Sequence, residues 1–175
     1  MTASPDLGSA PFPTSGSLDT PELLRAVFRR HAAGVAVITA GGEVPVGFTA
    51  TSLTSVSLDP PLLSFGIGLT ASSWPAVSRA THVGVHILGE HQHEVAATFA
   101  RSGADRFGPP TRWRPGTGGV PILGDVPAWL VCRVVARVPA GDHRIVLAEP
   151  VDGDATGVGR PLLYHEGGFR VLRDQ

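Results

Sequence analysis

The chain has 175 residues, enough for one domain with a sizeable buried core. A hydrophobic content of 42% and a mean hydropathy of +0.14 describe a well-packed globule, while 22 glycines and 16 prolines demand many turns, so a mostly β domain is expected. Fourteen basic against fifteen acidic residues leave a net charge of −1, which excludes a global field for nucleic acid or an anionic membrane and confines any phosphate site to a local feature.

Residues 1 to 18 are small, Pro/Gly/Ser-rich and without periodicity, the composition of a flexible tail, which leaves 19 to 175 as the domain. Asp19-Thr20-Pro21-Glu22 then supplies a capping residue, a first-turn proline and an acidic residue at the positive helix end. A helix is expected from about Pro21 to His31, with Leu23, Leu24, Val27 and Phe28 facing the core. Val35 to Thr39 and Val44 to about Ser52 read as a hairpin around Gly41-Gly42. It leads into a hydroxyl-rich loop, because the run from Gly47 to Pro61 (GFTATSLTSVSLDPP) holds three threonines, three serines and a single charge. Such a run offers hydroxyls and free backbone amides and suits a planar, heteroatom-rich ligand better than a metal.

Leu62 to Leu69 follows as a strand, with Gly66 and Gly68 where absent side chains let a ligand approach the backbone. Ser72-Ser73-Trp74-Pro75 opens a short helix ending near Arg79, with serine able to cap it. His82 to Leu88 alternates as a strand, and Glu90 to about Arg101 reads as a helix with Val95 and Phe99 on its apolar side. Phe107 to Gly124 is expected to be a long loop, of the length usually given to lids or interfaces. Ala128 to Val138, Arg144 to Val151 and Leu162 to Leu172 complete the strands, the last folded at Glu166-Gly167-Gly168. Six or seven strands with three short helices favour an antiparallel β-barrel over a βαβ sheet.

No run approaches the roughly 18 apolar residues of a membrane span, and no basic-then-apolar leader opens the chain, so a cytoplasmic protein with no membrane contact is expected. Cys132, the one cysteine, excludes an intrachain disulfide and reads as a buried, inert thiol. Neither a G-x-G-x-x-G nor a G-x-x-x-x-G-K-[ST] motif is present, so a nucleotide needs another phosphate device. Ser72 and Ser73 offer one, through hydroxyls and unpaired first-turn amides; an ordinary helix cap is the alternative.

His82 and His86 share one face of their strand, a two-histidine ligand set in principle, but no acidic or cysteine partner stands at metal-ligand spacing and no metal is expected. His91 and His93 read as surface residues. Gly141-Asp142-His143 is turn chemistry between two strands, leaving His143 either exposed or projecting into a cleft as a donor or proton-transfer group. A triad is excluded: no serine sits in a G-x-S-x-G elbow, and Cys132 lies mid-strand.

Taken together, HAAGVAVIT (31 to 39), GFTATSLTSVSLDPPLLSF (47 to 65), SSW (72 to 74), FARSGADRF (99 to 107), GDH (141 to 143) and PLLYHEGGF (161 to 169) resemble the short-chain flavin reductase family. These are the small reductase components of two-component flavin-dependent monooxygenases. LGEHQHEVAATFARSGADRF and PLLYHEGGF are especially similar to the NADH:FMN oxidoreductases serving bacterial dibenzothiophene desulfurisation. The resemblance implies a flavin-binding split β-barrel, typically a homodimer with flavin sites near the subunit interface. It implies hydride transfer from NADH, in preference to NADPH, to FMN, with FAD the alternative, and diffusion of reduced flavin to a partner oxygenase. A non-catalytic flavin binder and a split-barrel oxidoreductase of another substrate are the competing readings.

The resemblance also distributes roles. Thr49, Ala50, Thr51 and Ser52 meet the flavin ring edge, with Phe48 and Ser55 also binding the cofactor, and Thr51 is the hydroxyl nearest N5 and, with His143, the catalytic pair. Ser64 to Gly68, including Phe65, Gly66 and Ile67, run along the flavin. Ser72, Ser73 and Trp74 meet the phosphate, assisted by Arg101 or Arg106, with Phe99 and Phe107 nearby. His143 and the turn carrying Tyr164, His165 and Gly167 lie on the nicotinamide side.

Overall fold

The structure is a computed structural model and describes residues 19–173. The expected tail, residues 1 to 18, lies outside the described residues. Helix α1 (Thr20–Arg29) starts where the sequence places it: Asp19 Oδ1 accepts from the Glu22 amide at 2.8 Å, and Glu22 Oε2 accepts in return from the Asp19 amide. Its apolar face does not enter the core. Leu23, Leu24, Val27 and Phe28 are 49 to 61% exposed, because α1 is tied to the body at its end, where the Arg29 carbonyl accepts from the Glu166 amide, and no element among the described residues covers its face.

Strands β1 (Ala33–Gly34), β2 (Ala36–Ala40), β3 (Val46–Ala50), β4 (Thr54–Leu58) and β5 (Pro61–Gly68) follow, then α2 (Trp74–Val77) and β6 (His82–Ile87). After a 3₁₀ turn at Glu90–Gln92 come α3 (His93–Ala100), β7 (Trp113–Pro115), β8 (Pro121–Leu123), β9 (Ala128–Ala140), β10 (His143–Asp154), β11 (Leu162–His165) and β12 (Gly168–Val171). Seven strands form one antiparallel sheet in the order β3-β2-β6-β9-β10-β5-β4. The alternation of strand side chains puts Ile38, Ala50, Phe65, Ile67, Val83, Val85, Cys132 and Val146, drawn from six strands, into a single core cluster. The sheet therefore curls around its own core as a barrel. It is not closed by hydrogen bonds: β3 and β4 are its two edges, and across the seam Phe48 meets Phe65 with ring centroids 6.1 Å apart.

The outer side of β2 carries a second core, in which Val35, Val37 and Leu88 pack with Ala96 and Phe99 of α3 and with Leu123 and Leu162. Phe99 comes so close that a Cβ on Gly47 would lie 2.7 Å from its ring, which is why a glycine opens the GFTATS segment. Two expectations change here and a third holds. The hydroxyl-rich run is only partly a loop, since β4 lies within it. The stretch from Phe107 to Gly124 folds as the β7–β8 hairpin, with β8 wholly buried against the barrel. The turn after β11 is as expected, with Glu166 and Gly167 at φ of 51° and 81°.

His86 sits at zero exposure in β6, where its Nδ1 bonds the Val37 carbonyl at 3.0 Å and its Nε2 has no partner among the described residues. It is not paired with His82 around a cation: no group of three potential ligands occurs among the described residues. Cys132 is fully buried, and burial pushes its thiol up to about 12, so it is the inert residue expected. His91 and His93 are exposed. Among the described residues no helix is long and apolar enough to cross a membrane.

Candidate functional site

The barrel seam opens into a cleft of about 320 Å³ lined by Phe48 to Ser52, Gly66 to Gly68, Ala71 and His143. Three separated motifs of the sequence meet there. One wall is the end of β3, an edge strand whose outer backbone groups have no neighbouring strand among the described residues. The opposite wall is the end of β5, where β5 pairs with the start of β10 so that Gly68 stands opposite His143. Gly66 and Gly68 leave the floor bare. A side chain at Gly68 would approach the His143 ring at 3.6 Å, and one at Gly66 would approach Ser52 Oγ at 3.4 Å.

The hydroxyls of the run divide sharply by use. Thr49 Oγ1 donates to the Ala96 carbonyl at 2.6 Å and so anchors α3 rather than a ligand. Ser52 Oγ accepts from the Gly66 amide at 2.9 Å, bridging the two walls. Thr51, exposed in the bend after β3, has no hydrogen-bond partner among the described residues and keeps its hydroxyl free for a ligand. Ser55 lies outside the cleft, on the wall of a separate apolar cavity of about 610 Å³. The side chains of Phe65 and Ile67 belong to the core, so only the backbone of Ile67 is available to the cleft.

His143 begins β10 directly after the tight turn at Gly141, whose φ is 61°. Its Nδ1 donates to Asp142 Oδ1 at 2.7 Å. That hydrogen bond, with the histidine's charge, holds the Asp142 carboxyl below its usual range. The pairing orients the ring and leaves Nε2 on the Gly68 side, over the cleft. Asp142 was read in the sequence only as part of the turn and given no role at the site; its place next to a cleft histidine was the available signal.

Beyond Ala71 the wall continues into Ser72 and Ser73. Ser73 does not cap α2: its hydroxyl, fully buried, donates to the Gly47 carbonyl at 2.9 Å. Arg106 brings a guanidinium to both serines, with Nη1 3.3 Å from each hydroxyl and Nη2 donating to the Arg101 carbonyl at 2.8 Å. Arg106 Nε has no acceptor among the described residues. The Ser73 hydroxyl proton is committed to Gly47, so the donor set for an anion is the Ser72 hydroxyl beside a cation with unmet donor capacity. Arg101 contributes its carbonyl here; its side chain is exposed beside a different hollow along α3. The Trp74 side chain packs on the core, Phe99 is fully buried and Phe107 stacks edge-on between Phe99 and Trp113.

Tyr164, His165 and Gly167 are not brought to this cleft. They lie on the separate three-stranded sheet β1-β11-β12, where Tyr164 packs edge-on against Phe169. The bare floor, the unpaired strand edge, the free hydroxyl and the anion-holding corner fit a flat, polar ring with an anionic tail, as a flavin mononucleotide has.

An open antiparallel barrel with such a cleft at its seam is the architecture of a flavin-binding split-barrel oxidoreductase. Residues 28–173 match the flavin reductase like domain, and the chain belongs to that family. It is 45% identical over 150 residues to an NADH:FMN oxidoreductase of Rhodococcus qingshengii, covering 83% of this chain and 78% of the relative. It is 38% identical over 146 residues to the reductase component of a 4-nitrophenol 4-monooxygenase/4-nitrocatechol 2-monooxygenase of Rhodococcus opacus, covering 83% and 77%. The NADH:FAD oxidoreductase of Streptomyces globisporus, solved with NAD and FAD fragments, superposes with a TM-score of 0.85 at 31% identity, covering 91% of this chain and 98% of that one.

Proposed function

We propose that this protein transfers hydride from NADH to FMN and releases the reduced flavin to a separate monooxygenase. The observation that carries the reading is the convergence of Phe48 to Ser52, Gly66 to Gly68 and His143 on one cleft at the barrel seam. When bound, the flavin supplies the hydride-accepting chemistry, so the chain has only to hold two rings in register and exclude competing orientations. Thr51 Oγ1 and the free edge of β3 hold the ring edge. The glycine floor lets the ring lie against the β5 backbone, and Ser72 and Arg106 hold the phosphate, with Ser73 anchoring its segment to Gly47. His143, oriented by Asp142, offers Nε2 to the nicotinamide side.

The reading includes a homodimer. The uncovered apolar face of α1 supports it, and so does the hydrogen bond that ties α1 to the β11–β12 turn, since an interface on that face would carry Tyr164 to Gly167 with it toward a neighbouring cleft. A cytoplasmic location belongs to the same proposal because the reaction consumes NADH. Relatives named for NADH, FMN and monooxygenase reductase components support the cofactor and partner classes.

The test is anaerobic mixing of protein with NADH and excess FMN, following loss of flavin absorbance. Many FMN bleached per chain is the expected result. Absence of turnover would overturn the reductase reading in favour of a flavin binder. Repeating the assay with FAD and with NADPH ranks the alternatives, and sedimentation velocity reads the oligomeric state.

A further inference from the structure

The segment between β5 and β6 carries the phosphate-side serines on very little secondary structure. α2 has four residues, no side-chain cap at Ser73 and a proline in its first turn, and a helix so short does not support itself. Its beginning is fastened by the Ser73 bond to the Gly47 carbonyl. Its far end is fastened from β9. Arg137 Nε and Nη2 donate to the Val77 carbonyl at 3.1 and 2.9 Å, and Nη2 also donates to the Ala80 carbonyl. Final carbonyls of a helix lack intrahelical partners, and a cation placed there also complements the helix dipole. The same strand continues to Ala140 and turns into His143, so one residue couples the serine segment to the hairpin bearing the cleft histidine.

We propose that Arg137 is a positioning residue for the phosphate side of the site: its guanidinium, docked on the end of α2, fixes where Ser72 and Ser73 stand relative to the cleft. Arg137 makes its hydrogen bonds to Val77 and Ala80 and none to a cleft residue, so it acts through the segment it holds. Only a planar fork reaches two carbonyls three residues apart while also bonding one of them twice; a lysine ammonium serves as a single point. The proposal rests on the reading that Ser72 and Arg106 meet a phosphate.

The experiment measures dissociation constants by quenching of flavin fluorescence, for FMN and for riboflavin, which has the same ring and no phosphate. Wild type, Arg137→Met and Arg137→Lys are compared at equal protein concentration. Wild type is expected to favour FMN over riboflavin by about tenfold or more, and Arg137→Met to weaken FMN by about tenfold, the scale of one lost hydrogen bond to a charged group. Riboflavin is expected to stay within about twofold, with Arg137→Lys intermediate for FMN and kcat at saturating FMN retained. Equal losses for both flavins would overturn the assignment, because the residue would then support the whole cleft. If Arg137→Met does not fold by circular dichroism, Arg137→Lys carries the comparison, and wild-type discrimination in that variant overturns the role. A wild-type protein that binds the two flavins equally overturns the phosphate reading itself, and this proposal with it.

Discussion

His86 gives the fold a built-in sensitivity to acid. The ring is buried, its Nδ1–H is satisfied by the Val37 carbonyl, and Nε2 faces no acceptor, so a second proton would bring a charge and an unmet donor into the core together. Burial lowers its pKa from 6.5 to about 4, with the Val37 hydrogen bond opposing only in part. The unfolded chain therefore takes up a proton near pH 6.5 that the folded chain refuses until near pH 4. The gap between 6.5 and about 4, at about 1.4 kcal/mol per pH unit, totals about 3 kcal/mol. That stability is fully present above pH 6.5, falls with pH below it and stops falling near pH 4. Between pH 7 and pH 5, above the range where carboxylates titrate, the loss is about 2 kcal/mol. Urea unfolding across that interval at fixed protein concentration measures it. His86→Gln keeps a donor for the Val37 carbonyl but cannot titrate, and its profile should be flatter by about that amount. An unchanged pH slope in the glutamine variant would refute the reasoning.

Three further outcomes are expected at the site. Thr51→Ala should weaken FMN binding several-fold with an unaltered melting temperature, whereas Thr49→Ala, which strips the Ala96 carbonyl of its partner, should cost about 1–2 kcal/mol of stability; equal melting temperatures for the two would contradict this division of labour. His143→Ala should raise the KM for NADH by about tenfold and more than it raises the flavin dissociation constant; steady-state kinetics with an unchanged NADH KM would remove the histidine from the nicotinamide side. Gly68→Val would fill the floor beside His143, so flavin affinity should fall by about tenfold or more while far-UV circular dichroism stays native.

Alternation and turn residues made most of the strands legible, with their ends displaced by at most three residues. The meeting of Thr51, the glycine strand and His143 was legible through the order of the motifs. What those hydroxyls do was not. Thr49 finds its acceptor 47 residues away in α3, Ser73 its acceptor 26 residues back at Gly47, and Ser52 spans to Gly66. A serine free for a ligand and a serine tied to a distant carbonyl look alike in sequence, because the difference is made by tertiary contact. The β7–β8 hairpin was hidden for a different reason: three-residue strands edged by prolines show no period long enough to detect. The amphipathic pattern of α1 was read correctly as a helix, and its apolar face wrongly as a core face, since periodicity records that a helix has an apolar face and not what lies against it.

The unpaired edge of β3 has a consequence for how this site tolerates change. A ring held there is met largely by peptide N–H and C=O groups, which every residue except proline carries alike. Side-chain replacement between Phe48 and Ser52 removes few of those contacts, so a mutational scan would leave much of the recognition invisible. The same property lets such a seam keep its grip on a ring while the residues around it drift, and substitutions that bend or fill the seam, at Gly47 or Gly68, should outweigh those that merely change its chemistry.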